Sequence, residues 1–276
     1  MPELPEVEAV ARALRPFVRG QMIRRCRVIH PIAVRPGSGR GAKKAAELLE
    51  RQALGSSVRA VNRRGKYLLL LLDRGAIVIH FRLDGHLLWF DSPKTSGHVD
   101  VALEFPRGTL GFADRRHFGR VQWIESLDDI PGIRRLGVEP FSKNFTPHAL
   151  SEKMRASRLP LKLFLLDQMK IAGIGNIYSS EAMWLARINP RRRAHRISDS
   201  EARRLHKAIV RVLRRALECC LHPAPDFRDA NWWFQGLERI LNVYGREGKG
   251  CRRCRQPIRR VEQCGRSTYF CARCQK

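Results

Sequence analysis

The stretch Val58-Arg-Ala-Val-Asn-Arg-Arg-Gly-Lys-Tyr-Leu-Leu-Leu-Leu-Leu-Asp-Arg-Gly-Ala-Ile-Val-Ile-His-Phe81 holds three apolar runs of strand length: Val58–Asn62, Tyr67–Asp73 and Ala76–Phe81. Gly65 and Gly75 sit at the joints, and short β-favouring runs closed by Gly, Pro or Asp read as neighbouring antiparallel strands. The pattern continues through His86–Phe90, Val99–Phe105, Thr109–Phe112 and Val121–Ile124, and Met22–His30 alternates well enough to add a strand upstream. Together these runs predict an antiparallel β-sandwich or barrel. Ahead of it, Val7, Val10, Ala11, Leu14 and Phe17 recur at helical spacing, so a helix is expected to pack at the start and close near Pro16–Gly20. Pro31–Gly41 reads as a loop and Lys43–Ala53 as a short amphipathic helix.

Beyond Ile124 the period changes. Pro131, Gly132, Gly137 and Pro140 mark Asp128–Lys143 as a hinge. Helices are then expected from Thr146 through Ala156, over Leu161–Gln168 and Asn176–Arg187, and from Ser198 to about Cys220, with Ser198 and Glu201 forming a capping box. Pro223–Leu241 reads as a loop rich in aromatics. The expected class is α+β, with a β-rich domain over 1–127, a hinge over 128–145, a helical domain over 146–242 and a cysteine-bearing module over 243–276.

The chain has 276 residues with 53 Lys plus Arg against 26 Asp plus Glu, a formal charge of +27 spread along the sequence. A folded protein this basic is expected to meet a polyanion, nucleic acid first. An anionic membrane surface is the rival partner, but no run approaches ~18 apolar residues and no signal peptide opens the chain. With 43% hydrophobic residues, wholesale disorder is excluded. A chain this long has no need of a disulfide scaffold, so its eight cysteines point elsewhere. The expectation is a cytoplasmic, nucleoid-associated monomer.

Four cysteines fall as Cys251-x2-Cys254-x16-Cys271-x2-Cys274. Paired knuckles at this separation set four thiolates tetrahedrally at the base of a hairpin, which is a structural zinc site. Arg252, Arg253, Arg255, Arg259, Arg260 and Arg266 make that hairpin a basic finger suited to phosphates. Cys264 has no partner pair, and Cys26, Cys219 and Cys220 read as packing residues. A second motif, Ala172-Gly-Ile-Gly-Asn-Ile-Tyr178, places two glycines before a helix start, where backbone N–H groups can meet a phosphate; alone, such a turn is usually a helix connector.

The chain opens Met1-Pro-Glu-Leu-Pro-Glu-Val-Glu8. An initiator Met before proline is commonly removed, which would free the secondary amine of Pro2. An α-amine titrates near 8, so part of it is neutral at physiological pH and able to form an iminium on a sugar C1′. Glu3 beside it suits general acid–base work. The blander reading is a helix start with Pro5 at the first helical position and acids complementing the dipole.

That octapeptide resembles the start of the formamidopyrimidine-DNA glycosylase (Fpg) family within the wider Fpg/Nei group, base-excision enzymes that attack damaged DNA with an N-terminal proline. Val243-Tyr-Gly-Arg246 and Arg266-Ser-Thr-Tyr-Phe-Cys271 resemble the family's zinc-ribbon finger, and Ala172–Tyr178 resembles its helix–two-turn–helix. The resemblance implies a bifunctional glycosylase and abasic-site lyase acting on oxidised or ring-opened purines in double-stranded DNA, cutting the strand by β,δ-elimination, with one structural Zn2+ per chain. It implies Pro2, Glu3, Lys66 (in Arg64-Gly-Lys-Tyr-Leu68) and Arg266 as catalytic. It implies Glu6, Arg158, Lys162, Asn176 and Tyr244 as DNA contacts. In His80-Phe-Arg-Leu-Asp-Gly85 and Asp114-Arg-Arg-His-Phe-Gly119 it assigns Leu83, Arg116 and Phe118 to filling the gap left by an extruded base. The chain departs from the family at Leu83 for Met, His117 for a second Arg and Ser96 for His. Over Cys219–Leu241 it lacks the Gly-rich run of the lesion-capping loop, which predicts weakened reading of 8-oxoguanine. Rival readings are a Nei-like glycosylase for oxidised pyrimidines and a non-catalytic zinc-ribbon DNA-binding protein.

Overall fold

The computed structural model describes residues 1–34, 41–92, 98–222, 226–229 and 236–276. The chain forms two compact units, Met1–Arg134 with the stretch around Phe227, and Arg135–Cys219 with Gly236–Lys276.

In the first unit helix α1 (Leu4–Val18) buries Leu4, Val7, Val10, Ala11, Leu14 and Val18, the apolar stripe that the spacing dictates. Eight antiparallel strands follow: β1 (Arg25–Val28), β2 (Val58–Arg64), β3 (Tyr67–Leu72), β4 (Ala76–His80), β5 (His86–Phe90), β6 (Val101–Phe105), β7 (Gly108–Ala113) and β8 (Arg120–Ile124), with helix α2 (Ala42–Ala53) after β1. They build two four-stranded sheets in the orders β1-β6-β7-β5 and β2-β3-β4-β8, the layers of the sandwich. The unbroken leucines of β3 have a physical reason: both faces of the strand are covered. Leu69 and its cross-strand partner Val78 pack with Ile124, Ile130 and Ile133, while Leu68 and Leu70 are fully buried on the other face.

Ile130 and Ile133 lie in the stretch expected as the hinge, and its first part carries regular structure. Leu127–Asp129 forms a 3₁₀ turn capped by Ser126, and Pro131–Arg134 forms a short helix, α3. Proline is well suited to a helix start, and two isoleucines three apart find an apolar patch to cover.

The second unit holds α4 (Pro147–Arg155), α5 (Leu161–Leu166), α6 (Asn176–Ala186), the long α7 (Asp199–Leu221, ending in the first unit's stretch) and α8 (Leu237–Ile240). Thr146 caps α4 by accepting the Ala149 N–H at 3.1 Å. The Ser198–Glu201 box is formed, with Ser198 N–H donating to Glu201 at 2.9 Å. Helix α8 lies in what reads as loop from sequence; the rest of that stretch, with Pro223, Pro225, Trp232, Trp233 and Phe234, falls outside the described residues, as does Ser96. Strands β9 (Arg259–Gln263) and β10 (Arg266–Phe270) form the cysteine hairpin. Its two-residue turn, Cys264–Gly265, has φ of 49° and 70°, the mirror-image turn that matches strand twist.

Candidate active site and nucleic-acid interface

Four features of the first unit converge on reactive chemistry. Pro2 is buried just ahead of α1, beside Glu3, which exposes only 2% of its surface and occupies the N-cap. Glu3 and Glu6 form a reciprocal capping box in which the Glu3 amide donates to the Glu6 carboxylate at 2.7 Å. Two carboxylates are thus held at the positive end of the helix dipole. Glu6, expected among the DNA contacts, is itself fully buried at this cap. Leu4, not Pro5, is the first helical residue.

Next comes Lys66, in the β2–β3 turn. Glu8 on α1 binds Arg63 at 3.0 Å, and Arg63 donates to the Gly65 carbonyl at 3.0 Å, which lashes the turn to α1. Lys66 exposes only 7%, whereas a strand-end lysine read without the resemblance would be placed in solvent. Glu8 and Arg63 carry no motif signal, and their part in joining the N-terminal helix to the Lys66 turn emerges only from the fold.

The two loops expected to fill a vacated base position are neighbours. Arg116 meets Asp84 at 3.3 Å and lies over the Phe118 ring at 5.0 Å, and Leu83 and Phe118 expose 43% and 46% of their surface. Displayed apolar side chains flanked by a guanidinium suit insertion into a base stack. The buried Asp114 shapes the second loop, accepting from Arg116 N–H at 2.9 Å and Gly119 N–H at 2.6 Å. Gly119 is required there, because a Cβ would stand 2.6 Å from the Phe112 ring.

The second unit presents the phosphate-facing elements. Gln168 spans the Gly-rich turn, donating to Leu166 and Ile174 carbonyls and accepting from Gly173 N–H at 2.9 Å, so that α6 starts cleanly at Asn176. The Asn176 side chain donates to the Ser267 carbonyl of β10 at 3.0 Å and so docks the finger on the helix start. Arg266, the neighbour of Ser267, is exposed with no side-chain partner among the described residues, and Arg158 is also exposed. Tyr244 packs edge-on to Tyr269 at 5.1 Å. Its segment is fixed by Glu181, whose buried carboxylate accepts N–H groups from Asn242, Val243 and Tyr244, an organiser with no sequence signal.

Lys162, expected among the DNA contacts, lies in the interior of the second unit. It is fully buried, and its ammonium donates to the Asn176 carbonyl at 2.9 Å and to Ser179 and Ser180 hydroxyls at 2.9 and 2.7 Å. Buried charge is tolerated only when hydrogen-bonded, and here all three ammonium protons are taken inside the protein.

The sulfurs of Cys251, Cys254, Cys271 and Cys274 lie within 4.8 Å of one another, close to the roughly 3.8 Å edge of a tetrahedral zinc thiolate site. Despite its burial, Cys251 has its thiol drawn down to about 6 by N–H groups of Arg253 and Trp184 aimed at the sulfur. Burial and the adjacent Cys254 and Cys271 sulfurs push Cys274 up to about 12. A divalent cation removes that conflict by coordinating all four sulfurs as thiolates. Cys26, by contrast, is pushed up to about 12 mainly by burial and is a packing residue. Among the described residues no helix is long and apolar enough to cross a membrane.

A helix start capped by buried carboxylates on a β-sandwich, with a Gly-rich turn into a helix and a cysteine finger in one strongly basic chain, fits the class of nucleic-acid-binding proteins. Comparison with known proteins makes it particular. Residues 1–121 match the formamidopyrimidine-DNA glycosylase N-terminal domain, 136–221 its H2TH domain and 248–276 the zinc finger found in FPG and IleRS. Formamidopyrimidine-DNA glycosylases of Pelotomaculum thermopropionicum and Chloroflexus aurantiacus are 39% and 40% identical over all of this chain, covering 99% and 98% of those relatives. The Lactococcus lactis Fpg solved with abasic-site DNA is 31% identical with a TM-score of 0.87, covering 99% of both chains. The same protein solved with DNA containing N7-benzyl-Fapy-dG is 32% identical with a TM-score of 0.87. The chain belongs to the formamidopyrimidine-DNA glycosylase family: it is a DNA glycosylase of base excision repair, in a family with abasic-site lyase activity.

Proposed function

We propose that this enzyme removes oxidised or ring-opened purines and cuts the strand through a covalent intermediate on Pro2. Freed of Met1, the Pro2 nitrogen attacks C1′ of the damaged nucleotide and the base leaves with the glycosidic electron pair. Glu3 donates a proton to the ring oxygen as the sugar opens and the iminium forms. The iminium acidifies the C2′ hydrogen; its loss expels the 3′ phosphate, and a second elimination expels the 5′ phosphate. Lys66 and Arg266 assist those eliminations by binding the departing phosphates. Leu83, Arg116 and Phe118 occupy the vacated base position, and Arg158, Asn176 and Tyr244 grip the backbone. One Zn2+, held by the four finger thiolates with no open coordination position, supports the finger and takes no part in the chemistry. The enzyme acts as a monomer in the cytoplasm, at the nucleoid.

The observation that carries this reading is the buried Glu3–Glu6 cap directly beside Pro2, with the Lys66 turn lashed to the same helix. Borohydride trapping on an abasic-site duplex tests it. The wild-type protein should cross-link covalently, and a Pro2→Gly chain that keeps its initiator Met should bind without cross-linking. Full cross-linking by that variant would refute the role of the Pro2 amine, and failure of the wild type to cross-link would favour a non-catalytic binding protein.

A further inference from the structure

Outside the site described above, the first unit gathers three imidazoles around one buried carboxylate. The ring centroids of His30, His98 and His117 are 5.1 to 5.6 Å apart. Asp100 is fully buried, and its Oδ1 lies 3.1 Å from His98 Nε2 and 3.2 Å from His117 Nδ1. These three atoms are close without being hydrogen-bonded, and each is buried with no hydrogen-bond partner among the described residues. Both imidazole nitrogens stand at ion-pair distance from one carboxylate oxygen but outside hydrogen-bond geometry, so the cluster on its own depends on charged imidazoles at a site where buried polar atoms forfeit hydration. The two separations from Asp100 Oδ1 are near those of metal ligands: nitrogen and oxygen atoms about 2.1 Å from a tetrahedral metal stand about 3.4 Å apart.

We propose that His30, His98 and Asp100 form a second metal site, separate from the finger, for a first-row divalent ion of the zinc class. One donor atom from each of these residues already lies within 4.8 Å of the others, so small side-chain rotations close the set. Two imidazoles and one carboxylate favour zinc, cobalt or nickel over magnesium or calcium, which take oxygen ligands. The backbone organises the donors before any ion arrives. Ile29 and His30 N–H groups both donate to the Asp100 carbonyl, at 2.8 and 3.1 Å, and Asp100 N–H donates to Phe112. The other carboxylate oxygen of Asp100 accepts the Asp114 N–H at 2.8 Å, the orienting contact that metal-bound carboxylates need. His117 stands beside the three as a fourth donor or as a partner of the bound carboxylate. It also couples the site to its loop, because it lies between Arg116 and Phe118, and Asp114 caps that same loop.

The test uses the full-length protein with its finger zinc in place, equilibrated with free Zn2+ by dialysis and assayed for metal per chain. Two equivalents are expected in the wild type. One is expected in His30→Ala and in His98→Ala, whose folding is checked by circular dichroism; His30, being half-buried, is the less disruptive change. Cobalt offered as the second equivalent should give weak visible bands without the sulfur-to-metal charge transfer of a thiolate site. The midpoint of thermal unfolding should rise with added zinc in the wild type and stay fixed in His30→Ala. A single equivalent in the wild type, or a second equivalent that survives both substitutions, overturns the proposal.

Discussion

Replacing Lys162 with alanine separates two accounts of a charged residue at a motif position. In the structure its ammonium serves three internal acceptors, the Asn176 carbonyl and the hydroxyls of Ser179 and Ser180, at 2.7 to 2.9 Å. Hydrogen bonds to a charged group contribute roughly 1.5–3 kcal/mol each, and disrupting a buried charged network costs about 3–5 kcal/mol in total. Part of the loss is recovered, because Ser179 and Ser180 already donate to the Gly175 and Asn176 carbonyls at 2.6 and 3.0 Å and keep those bonds. The lower end, about 3 kcal/mol, is therefore expected, and for a chain of this length it corresponds to a fall of about 6–12 °C in the unfolding midpoint. Scanning calorimetry of the zinc-loaded protein measures it. Binding to an abasic-site duplex across a salt series supplies the second readout: the slope of log K against log salt should stay at its wild-type value. If Lys162 instead touches a phosphate, stability holds and the slope loses about 0.9. That result would refute the internal role.

Removing zinc should cost at least about tenfold in affinity for an abasic-site duplex, since metal binding is folding free energy in such modules. Because Asn176 docks the hairpin, Asn176→Ala and zinc removal should be less than additive; full additivity in a binding cycle would separate the two. The Glu201 carboxyl is held down to about 2, chiefly by its hydrogen bond to Arg192. With a folded value below the ordinary 4.5, its contribution to stability is complete above pH 4.5 and is lost as pH falls toward 2, so Glu201→Gln should flatten the stability profile across that window in urea unfolding. Abasic sites and ring-opened purines should be processed faster than 8-oxoguanine opposite cytosine in single-turnover assays; 8-oxoguanine released fastest would show that residues 219–241 still read it.

Much of this architecture is legible because its signals are local. The joints at Gly65 and Gly75, the Thr146 and Ser198 caps and the cysteine spacing each dictate their structure within a few residues, and each is realised. The short helix Pro131–Arg134 escapes such a reading because the patch that stabilises it, around Leu69 and Val78, is far away in sequence. Lys66, Glu6 and Lys162 mark the sharper limit. A motif position tells which residue type is needed but not whether it meets the ligand or holds in place the group that does. Burial decides that, and burial is a property of the packed chain.

The same distinction explains how a protein with a surplus of positive charge keeps carboxylates beside its reactive amine. Glu3 and Glu6 are each engaged in the cap of α1. The acid nearest in sequence, Glu8, is committed to Arg12 and Arg63. Arg158 and Arg266 stay exposed, while the acids that the proposed mechanism uses are anchored at the α1 cap. The buried acids Glu3, Glu6, Asp114 and Glu181 each have fixed internal partners, an arrangement that would let the proposed carboxylate chemistry operate inside a polycation.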